Sequence, residues 1–307
     1  KKTILEEVFS KPNNNKQTAS SAYAVLPEQI RRWSTMFDSL PVPTVEDSNE
    51  DNDNQPSHQD SQILNKKTAH QGGVGKSVGE FLTQKGFAVY GTSRNPEHIE
   101  NHPFKLVALD VNNSESISKA VEAVILAEGR LDILVNNAGA AWGEAFETFP
   151  ESGWDKVMDL NVKSLFFLTQ ALHGPLKSAA SKSQPGKVIN IASIDGIRIN
   201  PWETYSYQAS KAAVIQLTRR MATRLIKDHI NVTAIAPGAF ASEMNKAARD
   251  FEDEVGHGVP SGRIGHDEDM AAVAIYLAAR SGDYVVGETI AVDGGVVYGA
   301  AGASMDA

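Results

Sequence analysis

No cysteine occurs among the 307 residues. Disulfide frameworks, thiolate zinc sites, iron–sulfur clusters and cysteine nucleophiles are thereby excluded, while the redox compartment stays open. Long apolar runs are missing as well. The longest, Met270–Ala279 between Asp269 and Arg280, is far short of the ~20 residues that a membrane-crossing helix needs, so no membrane attachment is expected. Positive charge is in deficit: 29 Lys+Arg against 38 Asp+Glu give a net charge of -9. No nucleic-acid partner is expected, because phosphate binding requires clustered cations. The first residue is Lys1, as expected of a fragment or processed form, and the opening residues lack the charged-then-apolar layout of a secretory signal. A cytoplasmic location is expected. With 41% hydrophobic and 22% charged residues, the composition is that of a chain able to bury a core.

The chain divides unevenly. Residues 1–62 read as a flexible acidic extension. Leu26-Pro27-Glu28 opens a short amphipathic helix through Ile30, Trp33, Met36, Phe37 and Leu40, which Pro41 and Pro43 end. Glu46–Asp60 carries six acids and no Lys, Arg or aliphatic residue, too little apolar surface to offset the entropy of ordering. Residues 63–307 read as one domain in which strands and helices alternate. The expected strands are Phe87–Thr92, Lys105–Val111, Leu131–Val135, Lys187–Ala192, Ile230–Ala236 and Thr289–Val292. The expected helices are Lys76–Gln84, Ser116–Glu128, Trp154–Leu172, Tyr207–Leu225 and Met270–Arg280. Continuously apolar strands alternating with helices predict an α/β, Rossmann-like, doubly wound parallel sheet covered on both faces.

Ligands of such sheets sit beyond the carboxyl ends of the strands. Three of those ends carry polar or Gly/Pro signals: Asn136-Asn137-Ala138-Gly139, Ser193 and Pro237-Gly238. Tyr207 and Lys211 follow Ser193 four residues apart, on one helix face. A Lys211 ammonium would favour the Tyr207 phenolate and bring an ordinarily weak acid nearer to neutrality, where it could exchange a proton with a substrate. Ser193 could hold a carbonyl oxygen against that tyrosine. His257 and His266 have no partners at metal-ligand spacing, so no metal is expected.

Together these residues resemble the classical short-chain dehydrogenase/reductase family over about residues 72–295, and are most similar to rhamnolipid-pathway-type β-ketoacyl reductases. The resemblance implies a catalytic set of Asn161, Ser193, Tyr207 and Lys211, with Asn161 anchoring a proton-relay water. It implies cofactor contacts from Gly73 and Gly75 near the pyrophosphate, Asp110 at the adenine, Asn137, Ala138 and Gly139 along the cofactor, Tyr207 and Lys211 at the nicotinamide ribose, and Pro237, Gly238 and Ser242 at the nicotinamide. Asp293-Gly294-Gly295 matches a late family element. The implied reaction is hydride transfer between a nicotinamide and a carbonyl or alcohol carbon. At the end of the second strand Thr92-Ser93-Arg94 offers no acid for a ribose hydroxyl and one guanidinium for a 2′-phosphate, so the cofactor is read as NADP(H).

The Gly-rich turn departs from the pattern. Thr68-Ala69-His70-Gln71-Gly72-Gly73-Val74-Gly75 has Ala69 where the family has its first glycine, and Ile63–Lys67 is too polar for a central parallel strand. Two rival readings follow: a catalytically weak nucleotide-sensing or scaffold member, and a deviant P-loop ATPase built on Gln71-Gly72-Gly73-Val74-Gly75-Lys76-Ser77, with Gln71 where a signature Lys would sit. The substrate is expected to be a small carbonyl or alcohol compound, a 3-oxoacyl thioester or similar ketone. Trp142, Ile194, Trp202, Phe240 and Met244 would wall the pocket, and Ala239–Val259 would be a lid. The resemblance also implies a homo-oligomer, tetramer or dimer, formed through Trp154–Leu172 and Tyr207–Leu225.

Overall fold

The computed structural model describes residues 3–6, 22–23, 73–99, 102–242 and 244–299. The Leu26–Leu40 helix, the acidic run Glu46–Asp60, Ile63–Lys67 and Ala69 lie outside the described residues. The apolar runs form parallel strands, and the periodic runs between them form helices packed over the sheets. Helix α1 (Gly73–Gln84) leads into β3 (Ala88–Ser93), β4 (Lys105–Ala108), α2 (Ser114–Glu128) and β5 (Ile133–Asn136). Next come α3 (Glu151–Met158), α4 (Ser164–Ala179), β6 (Gly186–Ile191), α5 (Tyr205–Leu225) and β7 (Ile230–Pro237). The short helices α6 (Lys246–Asp250) and α7 (Glu252–His257), then α8 (Asp267–Ala278) and β8 (Thr289–Val292), complete the order. The segment read as a lid, Ala239–Val259, thus contains two short helices rather than a plain loop.

Two strands come from the stretch expected to be flexible. β1 (Thr3–Glu6) pairs in parallel with β3, Thr3 opposite Ala88 and Glu6 opposite Gly91, and comes alongside β5. β2 (Ala22–Tyr23) pairs antiparallel with β5. The expectation of a loose extension is therefore corrected at these six residues. The physical reason is that β3 is a buried strand whose second edge must find backbone partners. The sheets run β1-β3-β4 and β2-β5-β6-β7-β8, parallel except for β2.

The core lies between sheet and helices, with Leu82, Leu134, Leu172, Leu176 and Ile230 fully buried. A polar chain crosses it. Asn136 Nδ2 donates to Thr169 Oγ1 at 3.0 Å and to Asn190 Oδ1 at 2.9 Å. Asn190 Nδ2 donates to Thr218 Oγ1 at 2.8 Å. These bonds tie β5 and β6 to α4 and α5, so the strand ends that carry the site and the helices behind them are set by one network. The first turns of α1 hold Lys76, paired with Glu80 at 3.7 Å, and Ser77, which is buried. Both behave as ordinary helix residues.

Four side chains clamp the far ends of α4 and α5. Asp228 accepts from Lys177 at 2.7 Å and from His173 and Arg224 at 2.9 Å. The Lys177 ammonium first, then His173 and Arg224, hold its carboxyl well below the usual carboxylate range. A depressed folded-state pKa gives stability that is present at neutral pH and is lost as pH falls below the ordinary carboxylate value of about 4. Asp228→Asn should therefore lower the Tm at pH 7, and the gap from the parent protein should shrink in thermal melts taken below about pH 4.

Candidate active site

The site is built around the helix break between α3 and α4. Sequence periodicity predicts one helix over Trp154–Leu172. The chain instead makes a π-turn over Asp159–Lys163, in which the Ser164 amide reaches back to the Asp159 carbonyl. The extra residue per turn rotates Asn161 inward, where it is 1% exposed. Its Oδ1 accepts from the Ala140 amide at 2.8 Å, and its Nδ2 donates to the Ala140 carbonyl at 3.0 Å and to Ser210 Oγ at 2.8 Å. Ser210 Oγ donates in turn to the Tyr207 carbonyl at 2.7 Å. Both side-chain protons of Asn161 are thus committed to protein partners. The asparagine read as a water anchor ties the Asn137–Ala140 loop to the first turn of α5.

The turn after β6 brings Ser193 to the same place. Ser193 caps a short 3-10 turn, Ile194–Gly196, its Oγ accepting from the Asp195 amide at 3.2 Å. Gly196 is required there: a Cβ on it would stand 2.5 Å from the Lys211 carbonyl carbon, so only glycine lets this turn lie on the backbone of α5. Tyr207 is part-exposed into the cleft, which Ser193 also lines. Lys211 is 5% exposed, donates to the Ile191 carbonyl at 2.9 Å, and lies 5.6 Å from the Tyr207 ring centre. A Cβ on Gly139 would lie 3.3 Å from Asn161 Oδ1 and 3.6 Å from Lys211 Nζ, so the Asn137–Gly139 loop borders the same space.

The electrostatics correct one expectation. The Tyr207 phenol is pushed up to about 12, chiefly by burial, with Ser193 opposing and the Asp195 charge adding to the rise. Burial likewise pushes the Lys211 ammonium down to about 8, and Asp195 pulls it back up. Lys211 was expected to draw the tyrosine toward neutrality. Burial is the largest influence on the phenol and outweighs that pull. The Tyr207 phenol therefore stays neutral across the physiological range.

A cleft of about 560 Å³ opens beyond the carboxyl ends of β5, β6 and β7, and Gly75, Asn137, Ser193, Tyr207, Lys211, Pro237, Gly238 and Ser242 line it. The other proposed cofactor contacts sit around it. Gly73 begins α1, and Ala138 packs on the core beside Gly139. Asp110 follows β4, its amide donating to Ser116 Oγ at 2.9 Å and its carboxylate accepting from the Asn112 amide at 3.0 Å. Arg94 is exposed just past β3. Of the expected wall, Ile194, Trp202, Phe240 and Met244 line the cleft. Trp142 does not; its indole rests on Gly153 of α3, which takes it out of the cleft. His266 caps α8 and His257 ends α7, both exposed, and among the described residues no cluster could hold a metal. Asp195, two residues past Ser193, also lines the cleft. Sequence reasoning passed over it, although its place in Ser193-Ile194-Asp195-Gly196 was the signal.

This geometry suits a nicotinamide dinucleotide: α1 presents its first turn toward the strand ends, glycines border the cleft, and a buried lysine stands beside a tyrosine. Comparison with known proteins agrees. Residues 68–297 match the family model described as enoyl-(acyl carrier protein) reductase, which overturns the ATPase reading. The chain is 40% identical to the rhamnolipids biosynthesis 3-oxoacyl-[acyl-carrier-protein] reductase of Pseudomonas aeruginosa, over 73% of this chain and 91% of the relative. It is 37% identical to 2-dehydro-3-deoxy-D-gluconate 5-dehydrogenase of Dickeya dadantii, over 73% and 90%. Among solved structures it resembles the Pseudomonas aeruginosa RhlG/NADP active-site complex with a TM-score of 0.70 at 38% identity, covering 73% of this chain and 92% of that one. It also resembles a gluconate 5-dehydrogenase from Burkholderia cenocepacia in complex with NADP and tartrate, with a TM-score of 0.68 at 28% identity, covering 76% and 94%. The chain belongs to the short-chain dehydrogenase/reductase family of oxidoreductases.

Proposed function

We propose that the protein is an NADP(H)-dependent reductase that converts the ketone of a 3-oxoacyl thioester, or of a similar compound, to an alcohol. The observation that carries this reading is the convergence of Ser193, Tyr207 and Lys211, held by Asn161, at the carboxyl ends of parallel strands. The reduced nicotinamide, when bound, supplies the hydride to the carbonyl carbon. Ser193 Oγ, whose lone pair is engaged by the Asp195 amide, donates to the carbonyl oxygen and fixes its position. Tyr207, neutral up to about 12, delivers its hydroxyl proton to that oxygen. Lys211 holds the nicotinamide ribose and, while charged, stabilises the phenolate that remains. Asn161 is a positioning residue, acting through Ala140 and Ser210.

The choice of NADP(H) rests on Arg94 and on the lack of an acid in Thr92-Ser93-Arg94. The Lys156 ammonium is pushed down by partial burial and then by the charge of Arg94, so a second cation lies within electrostatic reach of Arg94. The thioester reading takes support from the Pseudomonas relative and from the apolar side of the cleft, where Ile194, Trp202, Phe240 and Met244 stand. A homo-oligomer is proposed through α4, which exposes the edge-packed pair Phe166 and Phe167. A scaffold role is disfavoured by the complete tyrosine–lysine–serine geometry.

Tyr207→Phe should lower kcat for ketone reduction by about 10²-fold or more, measured as NADPH consumption, while NADPH still binds by fluorescence titration. Unchanged turnover contradicts the assignment. Arg94→Ala should raise the KM for NADPH by about 10- to 100-fold and leave that for NADH in place. In the parent protein kcat/KM for reduction should hold at neutral pH and fall as pH rises through about 8, because Lys211 loses its charge there.

A further inference from the structure

The turn after β6 carries a carboxylate for which hydride transfer has no use. Asp195 is the middle residue of the 3-10 turn Ile194–Gly196. The amide bond to Ser193 Oγ fixes it on one side, and the contact of Gly196 with the α5 backbone at Lys211 fixes it on the other. Its half-buried side chain lines the cleft beside Ser193, Tyr207 and Lys211. Among the described residues no side chain or amide donates a hydrogen bond to its carboxylate. Its charge reaches both neighbours, raising the Tyr207 phenol and the Lys211 ammonium alike. Three cations also line the cleft, and none of them forms an ion pair with Asp195 among the described residues. Arg198 donates to the Val296 carbonyl at 3.1 Å, Lys211 donates to the Ile191 carbonyl at 2.9 Å, and Lys246 is exposed at the mouth, near Asp250.

We propose that Asp195 selects the substrate by charge: it admits neutral carbonyl compounds and rejects those that carry a carboxylate next to the reacting ketone. The proposal rests on the carbonyl-reductase reading and narrows it. A carboxylate is an acceptor only. A neutral substrate with an N–H or O–H beside the ketone can bond to it, as an amide or a hydroxyketone does. A substrate carboxylate in the same partly desolvated cleft meets the like charge of Asp195, which a neutral substrate does not. Ser193, Tyr207 and Asp195 therefore divide the work. The first two read the carbonyl oxygen, and the third reads the charge of what is attached.

The test uses a matched pair, ethyl acetoacetate and acetoacetate, with NADPH and the full chain. The parent protein should favour the ester, and Asp195→Asn should shift the ester-to-acid ratio of kcat/KM toward the acid by about tenfold. Asp195→Ala should shift it the same way, which guards against a local effect of the amide. In both variants the alkaline limb of the pH profile should move to lower pH, since Asp195 raises the neighbouring groups. A ratio within about twofold of the parent's in both variants would overturn the proposal. Should the parent turn over neither compound, the reductase reading fails separately. Calorimetric binding of butyrate and butyramide to the NADP-loaded protein then decides the charge selection alone. Asp195→Asn must tighten butyrate relative to butyramide, and equal change for both sinks the idea.

Discussion

The side chain of Asn161 is the constraint on which the site depends. One residue joins the loop after β5, the helix break before α4 and the first turn of α5 through three bonds of 2.8–3.0 Å. The π-turn that points it inward sacrifices regular helical bonding. A buried amide with every proton satisfied repays that loss, whereas an unsatisfied one would cost about 1–3 kcal/mol per group. Without the link, the Asn137–Gly139 loop and the Tyr207 turn would be set independently, and a proton donor displaced by an ångström works far less well. The ladder Asn136–Asn190–Thr218 extends the same logic into the core and sets the strands against the same helices.

Opposing demands meet at Tyr207 and Lys211. Burial makes the tyrosine a weaker acid and the lysine a weaker base than either is in water. The result is a pair in which the phenol keeps its proton and the lysine titrates at about 8; in the proposed reduction a developing alkoxide would draw that proton. Asp195 adds a negative charge to this setting. It keeps the lysine protonated longer and makes the phenol hold its proton more firmly.

Most of the parallel sheet was legible in the sequence because buried strands such as Lys187–Ala192 and Ile230–Ala236 are predominantly apolar and rich in Val and Ile, with Gly186 before the first and Pro237 after the second. Ser193, Tyr207 and Lys211 were legible because strand ends and i,i+4 spacing fix their positions before any packing is known. The π-turn was not, since a continuous helical period runs through Asp159–Lys163 without a Pro or Gly to mark a break. β1 was not, because its partner β3 lies more than 80 residues away in the chain and local pattern says nothing of so distant a pairing. Trp142 was misplaced because an aromatic near a strand end suits a pocket wall and a bed on Gly153 equally well. The raised phenol of Tyr207 depends on three-dimensional desolvation, which spacing does not encode.

The most direct measurement is deuterium transfer. NADPH labelled with deuterium at the transferable position would be incubated with the protein and a 3-oxoacyl thioester, and the product examined by mass spectrometry and NMR. One deuterium is expected on the new carbinol carbon, and about a hundredfold less labelled product in the same time when Tyr207→Phe replaces the parent protein. A product alcohol without the label, or labelled product formed equally by the variant, would contradict the proposed reduction.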